Sequence, residues 1–152
     1  MILRLILMIT ILQIGDYVAL RVNPTNPYKV VELNFNEYRE KQILYIQSLT
    51  TGVVFEMDID SIVGIKLTKS IFKKNNWIND LYTLLPIDNN RYLKYYWHEN
   101  RLQYIWNGID EYENHSKVTD IIFQCGNIKY VHELQHALKL CGLYNLANNF
   151  KV

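Results

Sequence analysis

The best-marked element of this chain is a helix near its C-terminus, Asn127 to Gly142, NIKYVHELQHALKLCG. Val131, Leu134, Leu138 and Cys141 recur at helical spacing with Tyr130 and Ala137 beside them, so one face is apolar. A single apolar stripe has to be covered, and everything upstream that is long enough to cover it reads as strand. Asn127 is placed as the N-cap. Gly142 is placed as the left-handed residue of a Schellman ending, with Leu143 folding back onto Leu138.

From Thr10 to Thr68 the pattern is all strand: Tyr17–Val22, then Tyr28–Phe35 beyond a loop holding Pro24 and Pro27, then Ile43–Leu49. A Thr50-Thr51-Gly52 turn leads to Val53–Met57, Asp58–Ser61 suits one 3₁₀ turn, and Val63–Leu67 follows. A four-strand meander, a short turn and a last strand is the order of an SH3-like small barrel, an analogy of fold only. Thr68 caps a short helix, Lys69–Lys74, with Leu67 and Phe72 placed as a hydrophobic staple. Asn75-Asn76 ends it, and Trp77 turns the exit back toward the barrel.

Three further strands are expected at Tyr82–Ile87, Tyr92–Trp97 and Leu102–Trp106, separated by turns at Asp88–Asn90 and His98–Asn100. Alternation puts Leu93, Tyr95 and Trp97 opposite Leu102, Tyr104 and Trp106, an apolar face for the helix. A polar loop, Asn107–Lys117, precedes a last strand at Val118–Cys125. The expected fold is therefore α+β: an SH3-like small β-barrel with a short helix in residues 1–76, then an antiparallel sheet packed by the C-terminal helix in residues 77–152, the two sharing one core. Residues 75–81 are the seam.

The ends and the composition limit the classes open to it. Met1–Ile14, MILRLILMITILQI, is apolar and carries Arg4, but no small-x-small cleavage site follows and it falls short of the roughly 20 residues a membrane span needs. It is read as a first strand or a tail packed on one, with residues 1–7 an artefact if translation begins at Met8. With 49% hydrophobic and 20% charged residues the chain is globular, and a net charge of +1 gives no overall pull toward nucleic acid or anionic lipid. Two cysteines, Cys125 and Cys141, make no disulfide scaffold, which fits a reducing compartment.

Ile14-Gly15-Asp16-Tyr17-Val18, the segment Ile65-Lys66-Leu67-Thr68 opening a short helix, and above all IKYVHELQHALKLCG resemble a group of small uncharacterised proteins of Bacteroides-type gut bacteria and their phages and prophages. The resemblance runs from about Gln13 to Gly142, with the final motif the specific part. It implies a setting, bacterial cytoplasm or phage particle, rather than a mechanism. That group usually ends Y-V-H-x-L-Q-N, with asparagine where this chain has His136, which implies that zinc is not held through this position.

The residues themselves raise the zinc question, because His132-Glu133-Leu134-Gln135-His136 reads as H-E-x-x-H. On a helix His132 and His136 share a face and would chelate one zinc ion, with Glu133 activating a bound water. Catalysis needs a third protein ligand, yet Ala137–Val152 holds no His, Asp or Glu, and Lys139 and Gly142 break the longer metzincin spacing. The helical wheel sets His132, His136 and Lys139 opposite the apolar stripe, which on a helix packed on one side is the solvent face. A ligand from earlier in the chain, such as His115 or Glu113 in the polar loop, would rescue the site, but nothing in the sequence requires it.

Other clusters have simpler readings. Lys66, Lys69, Lys73 and Lys74 form a basic strip that fits phosphate contacts of a nucleic acid, or just a solvated helix face. Tyr92 and Tyr96 are the aromatics left for a stacking surface once the alternating partners are core. Asp58 and Asp60 serve a turn, and Asp110, Glu111 and Glu113 lack the spacing of a calcium loop. The expectation is a non-enzymatic protein-interaction module of a phage or mobile element, with no catalytic residue, no cofactor, no membrane and an unidentified protein partner. The alternatives are a zinc-dependent hydrolase using His132, Glu133 and His136, and a weak nucleic-acid-binding module using the four lysines.

Overall fold

A computed structural model describes residues 11–109 and 117–152. Among the described residues ten strands and three short helices succeed one another: β1 Tyr17–Leu20, β2 Asn23–Asn36, β3 Lys41–Ser48, β4 Val54–Asp58, a 3₁₀ turn Ile59–Ser61, β5 Ile62–Gly64 and α1 Lys69–Lys74. Then come β6 Ile78–Asn79, β7 Thr83–Pro86, β8 Arg91–Tyr96, β9 Arg101–Ile109, β10 Lys117–Cys125, α2 Val131–Leu140 and α3 Tyr144–Asn148. The strands form two antiparallel five-stranded sheets, ordered β4-β3-β2-β1-β5 and β10-β9-β8-β7-β6. The fold is α+β. Among the described residues the first sheet does not close by hydrogen bonding, since β4 and β5 are its two ends.

Where the elements differ from the sequence expectation, neighbours explain it. β2 runs through the proline segment because the register jumps from Ala19↔Pro27 to Leu20↔Asn23, which leaves Pro24 opposite no residue of β1. A proline there leaves no ladder bond unmade. β5 stops at Gly64 because the next residues pair elsewhere: Val131 N–H donates to Ile65 C=O at 2.8 Å and Leu67 N–H to Lys129 C=O at 3.0 Å. The same pairing delays the C-terminal helix, whose cap is Tyr130 rather than Asn127. β6 and α3, two and five residues long, are too short to carry a period and were not expected.

Both helix endings follow one pattern. Leu143 N–H donates to Leu138 C=O and Gly142 N–H to Lys139 C=O, with Gly142 at φ 76°, the Schellman arrangement. At the end of α1, Trp77 N–H donates to Phe72 C=O and Asn76 N–H to Lys73 C=O, with Asn76 at φ 65°. This turn brings the Trp77 ring to 4.7 Å from Phe72. At the start of α1, Thr68 Oγ1 accepts from Ile71 N–H at 3.2 Å.

Two cores result. Val18, Val30, Leu44, Ile46 and Ile62 fill the first sheet. The larger core joins α1, the second sheet and α2 through Phe72, Trp77, Leu93, Leu102, Leu134 and Leu138. Tyr17 of β1 and Leu67 belong to the larger core, so it reaches into the first half of the chain. Leu93 faces Tyr104 and Tyr95 faces Leu102 in the β8–β9 register, and all four are buried. Trp97 packs at that core's margin, while Trp106 is half-buried and its ring lies over Gly108. Among the described residues no helix is long and apolar enough to cross a membrane.

The approach of the two halves is tight at Gly64, where an added Cβ would lie 2.6 Å from Cγ and Cδ1 of Tyr130. Gly64→Ala is therefore expected to lower the urea-unfolding free energy by about 1–3 kcal/mol. Gly126→Ala, which meets nothing within 4 Å, is the control and should shift it by no more than about 0.5 kcal/mol.

Candidate functional site on the polar face of the C-terminal helix

Every residue of α2 from Val131 to Leu138 is buried. The expectation that the histidine face meets water is thus corrected: His132 is 7% exposed and His136 2%. A helical wheel assumes packing on one side, and this helix is packed on two. Its Leu134 and Leu138 join the core of the second sheet, while its polar face meets the residues that lead into β1.

Each polar residue of HELQH but His132 has a hydrogen-bond partner among the described residues. The Glu133 carboxylate accepts from the N–H groups of Lys129 (2.7 Å) and Tyr130 (3.1 Å), donors that the helix start would otherwise leave unpaired. Gln135, 1% exposed, accepts from Tyr17 N–H at 3.1 Å and donates to the carbonyls of Gly15 (3.3 Å) and Ala147 (3.0 Å). His136 Nε2 lies 2.7 and 2.8 Å from the two carboxylate oxygens of Asp16, which is 0% exposed. Asp16 Oδ2 also accepts from Gln13 N–H at 2.7 Å. Charge-assisted bonds of this kind, shut away from water, are among the stronger ones a protein makes.

His132 is the exception. Its ring stacks on Tyr130 (centroids 5.9 Å, planes 8° apart), and its Nδ1 is buried with no hydrogen-bond partner among the described residues. Burial pushes its pKa down to about 4, opposed by the charge of Asp16 and reinforced by His136. The imidazole is therefore neutral at physiological pH. It forms part of the wall of a cleft of about 370 Å³ whose other sides include Leu12, Ile59, Ile62 and Val63.

The geometry sets the zinc-protease residues apart by task rather than around one point. His132 and His136 rings are 6.0 Å apart and inclined at 72°, His136 is bonded to Asp16, and Glu133 is bonded to backbone at the helix start. Among the described residues no three His, Cys, Asp or Glu side chains are grouped to hold a metal ion. Asp110, Glu111, Glu113 and His115 lie outside the described residues.

Lys66, Lys69, Lys73 and Lys74 are all exposed, the last three on α1. Tyr96, one of the two aromatics left for stacking, already has Lys94 Nζ 4.7 Å and Arg101 4.5 Å from its ring centre. Asp60 pairs with Lys41 at 3.2 Å, and Asp58 caps the 3₁₀ turn without a side-chain bond. Burial raises the Cys141 thiol to about 12 and also raises Cys125, so neither is a ready nucleophile.

Sequence reasoning missed Asp16 and Gln135. Asp16 sits in a Gly-Asp turn like many others, and nothing local announces a partner 120 residues away. The one available signal was an excess of polar side chains on a helix whose neighbours left little room for solvent.

The His132 pKa fixes a pH dependence. Between about 4 and 6.5 the unfolded chain binds a proton at this residue and the folded chain does not, so stability falls as pH is lowered through that window. The loss attributable to His132 is on the order of 3 kcal/mol by pH 4. Comparing denaturant unfolding of the wild type with His132→Leu between pH 7 and pH 4 measures it, and the variant should show the shallower decline. No known family model matches this chain, and neither does any curated protein or solved structure.

Proposed function

We propose that this protein is a non-enzymatic interaction module of a phage or mobile element, acting in the bacterial cytoplasm or in a phage particle. The setting rests on the resemblance of the Gln13–Gly142 region described above. The first sheet is read as an SH3-like small barrel, supported by the strand order β4-β3-β2-β1-β5 and a 3₁₀ turn leading into β5. Glu133 and His136 support a structural use of H-E-x-x-H, because zinc hydrolysis would require the first to leave two backbone donors and the second to leave Asp16.

The observation that carries the reading is the free edge of the first sheet. Among the described residues β4 pairs only with β3, and the apolar residues along it and its turn are open to solvent: Val53 51%, Val54 49%, Phe55 44% and Leu49 43% exposed. A sheet edge of this composition invites an added strand, and proteins that keep such an edge free usually blunt it with lysine or proline. Here neither is present from Leu49 to Asp58. The fitting partner is a protein segment in extended conformation with alternate apolar side chains.

Val53→Lys with Val54→Lys places two charges on the edge at exposed positions, where folding stability should change by less than about 1 kcal/mol. Tagged wild type and this variant are to be compared by quantitative capture from lysates of cells carrying the mobile element. The expected result is at least one protein retained by the wild type and depleted about tenfold or more by the variant. An identical set retained by both contradicts the proposal.

A further inference from the structure

The free β4 edge is charged on one face and apolar on the other. In the β3–β4 register Tyr45 lies opposite Glu56, and in the β2–β3 register Glu32 lies opposite Tyr45. Residues directly opposite share a face, so these three make a row across the strands, with Asp58 two positions along β4 on the same side. Tyr45 Oη donates to a Glu56 carboxylate oxygen at 3.1 Å. The Tyr45 phenol is pushed above its ordinary pKa, first by that hydrogen bond, then by the Glu56 charge, with burial and the charge of Glu32 adding to it.

Among the described residues none of Glu32, Glu56 and Asp58 is in an ion pair. Lys41 and Lys29, which alternation puts on that face, are turned elsewhere. Lys41 Nζ is 3.2 Å from Asp60, and Lys29 Nζ is 6.0 Å from the ring centre of Tyr17, on the far side of β2 from β4. The other face of β4 carries Phe55 and Met57, with Phe55 meeting Tyr28 edge-on.

We infer that the segment taken up by the β4 edge is an extended stretch of another protein in which lysine or arginine alternates with aliphatic residues. This rests on the β4 edge being the docking site proposed above. An added strand sets one residue opposite each residue of β4. Its cations then meet Glu56 and Asp58, and its aliphatic side chains continue the surface of Phe55 and Met57. A second copy of this chain does not suit the edge. Antiparallel pairing of β4 with itself over Val54–Asp58 sets Glu56 against Glu56 and Val54 against Asp58, and like charges directly opposite are destabilising. Complementary charge of this kind selects among partners more than it tightens any one of them.

The probes are acetylated and amidated peptides of about eight residues, the length of an ordinary strand. In one, lysine alternates with valine; in the second, glutamate alternates with valine; the third has the composition of the first with all lysines preceding all valines. Binding to the full chain is read by fluorescence anisotropy at about 150 mM salt, where long-range attraction is screened. The alternating lysine peptide should bind at least about tenfold more tightly than either of the others. Glu56→Gln with Asp58→Asn should bring the two alternating peptides to within about twofold. Glu56→Lys with Asp58→Lys should reverse their order, a gain that a misfolded variant cannot give. Equal binding of the two alternating peptides to the wild type overturns the charge preference and leaves the edge itself to the capture experiment above. Equal binding of the two lysine peptides overturns the inference too, since the contact would then be charge without strand pairing. Binding of neither alternating peptide has the same result and counts against the edge as well. A concentration-dependent dimer in sedimentation, displaced by the alternating lysine peptide, would give the edge to a second copy and likewise overturn it.

Discussion

A carboxylate and an imidazole, both shut away from solvent, meet where the chain enters its first strand. The Asp16–His136 contact is 2.7 Å long and joins residues 120 positions apart. Taking either group out of water costs several kcal/mol, and the cost is offset only when every lone pair and proton nearby finds a partner. Gln13 N–H completes Asp16, and Gln135 answers Tyr17, Gly15 and Ala147. The polar seam is therefore selective about geometry. An apolar helix face would hold the two halves together in many orientations, whereas these donors and acceptors are satisfied in one.

That seam explains how a helix of ten residues can organise a chain of 152. On one side its leucines join Phe72, Leu93 and Leu102 in the larger core, and on the other its amides and imidazoles hold the start of β1. Its entry is fixed by backbone pairing with Ile65–Leu67 and its exit by the Schellman turn at Gly142. The string that reads as a metalloprotease signature is accounted for residue by residue: Glu133 satisfies the helix start, Gln135 and His136 bind the other half, and His132 alone is left incompletely bonded.

Much of this was legible in the amino acids, and the division is physical. Local signals were readable: the Thr68 cap, the Gly142 ending, the turns at Gly52 and Asp88–Asn90, and the alternation that buries Leu93, Tyr95, Leu102 and Tyr104. These depend on residues within one turn or one strand of each other. What failed was the environment of the polar helix face, because whether His136 meets water or Asp16 is decided by a segment 120 residues away. The early end of β5 and the late start of α2 have the same origin, a pairing between Ile65–Leu67 and Lys129–Val131 that neither segment announces.

The central claim is that His136 of this helix holds the two halves together through its contact with Asp16. A double-mutant cycle on Asp16→Ala and His136→Ala, read by urea unfolding in the presence of chelator, tests it directly. Each single substitution should cost about 2–4 kcal/mol, and the pair should cost well under the sum, with a coupling above about 1.5 kcal/mol. Single effects that add to within about 0.5 kcal/mol would show that the two side chains do not depend on one another, and would contradict this account.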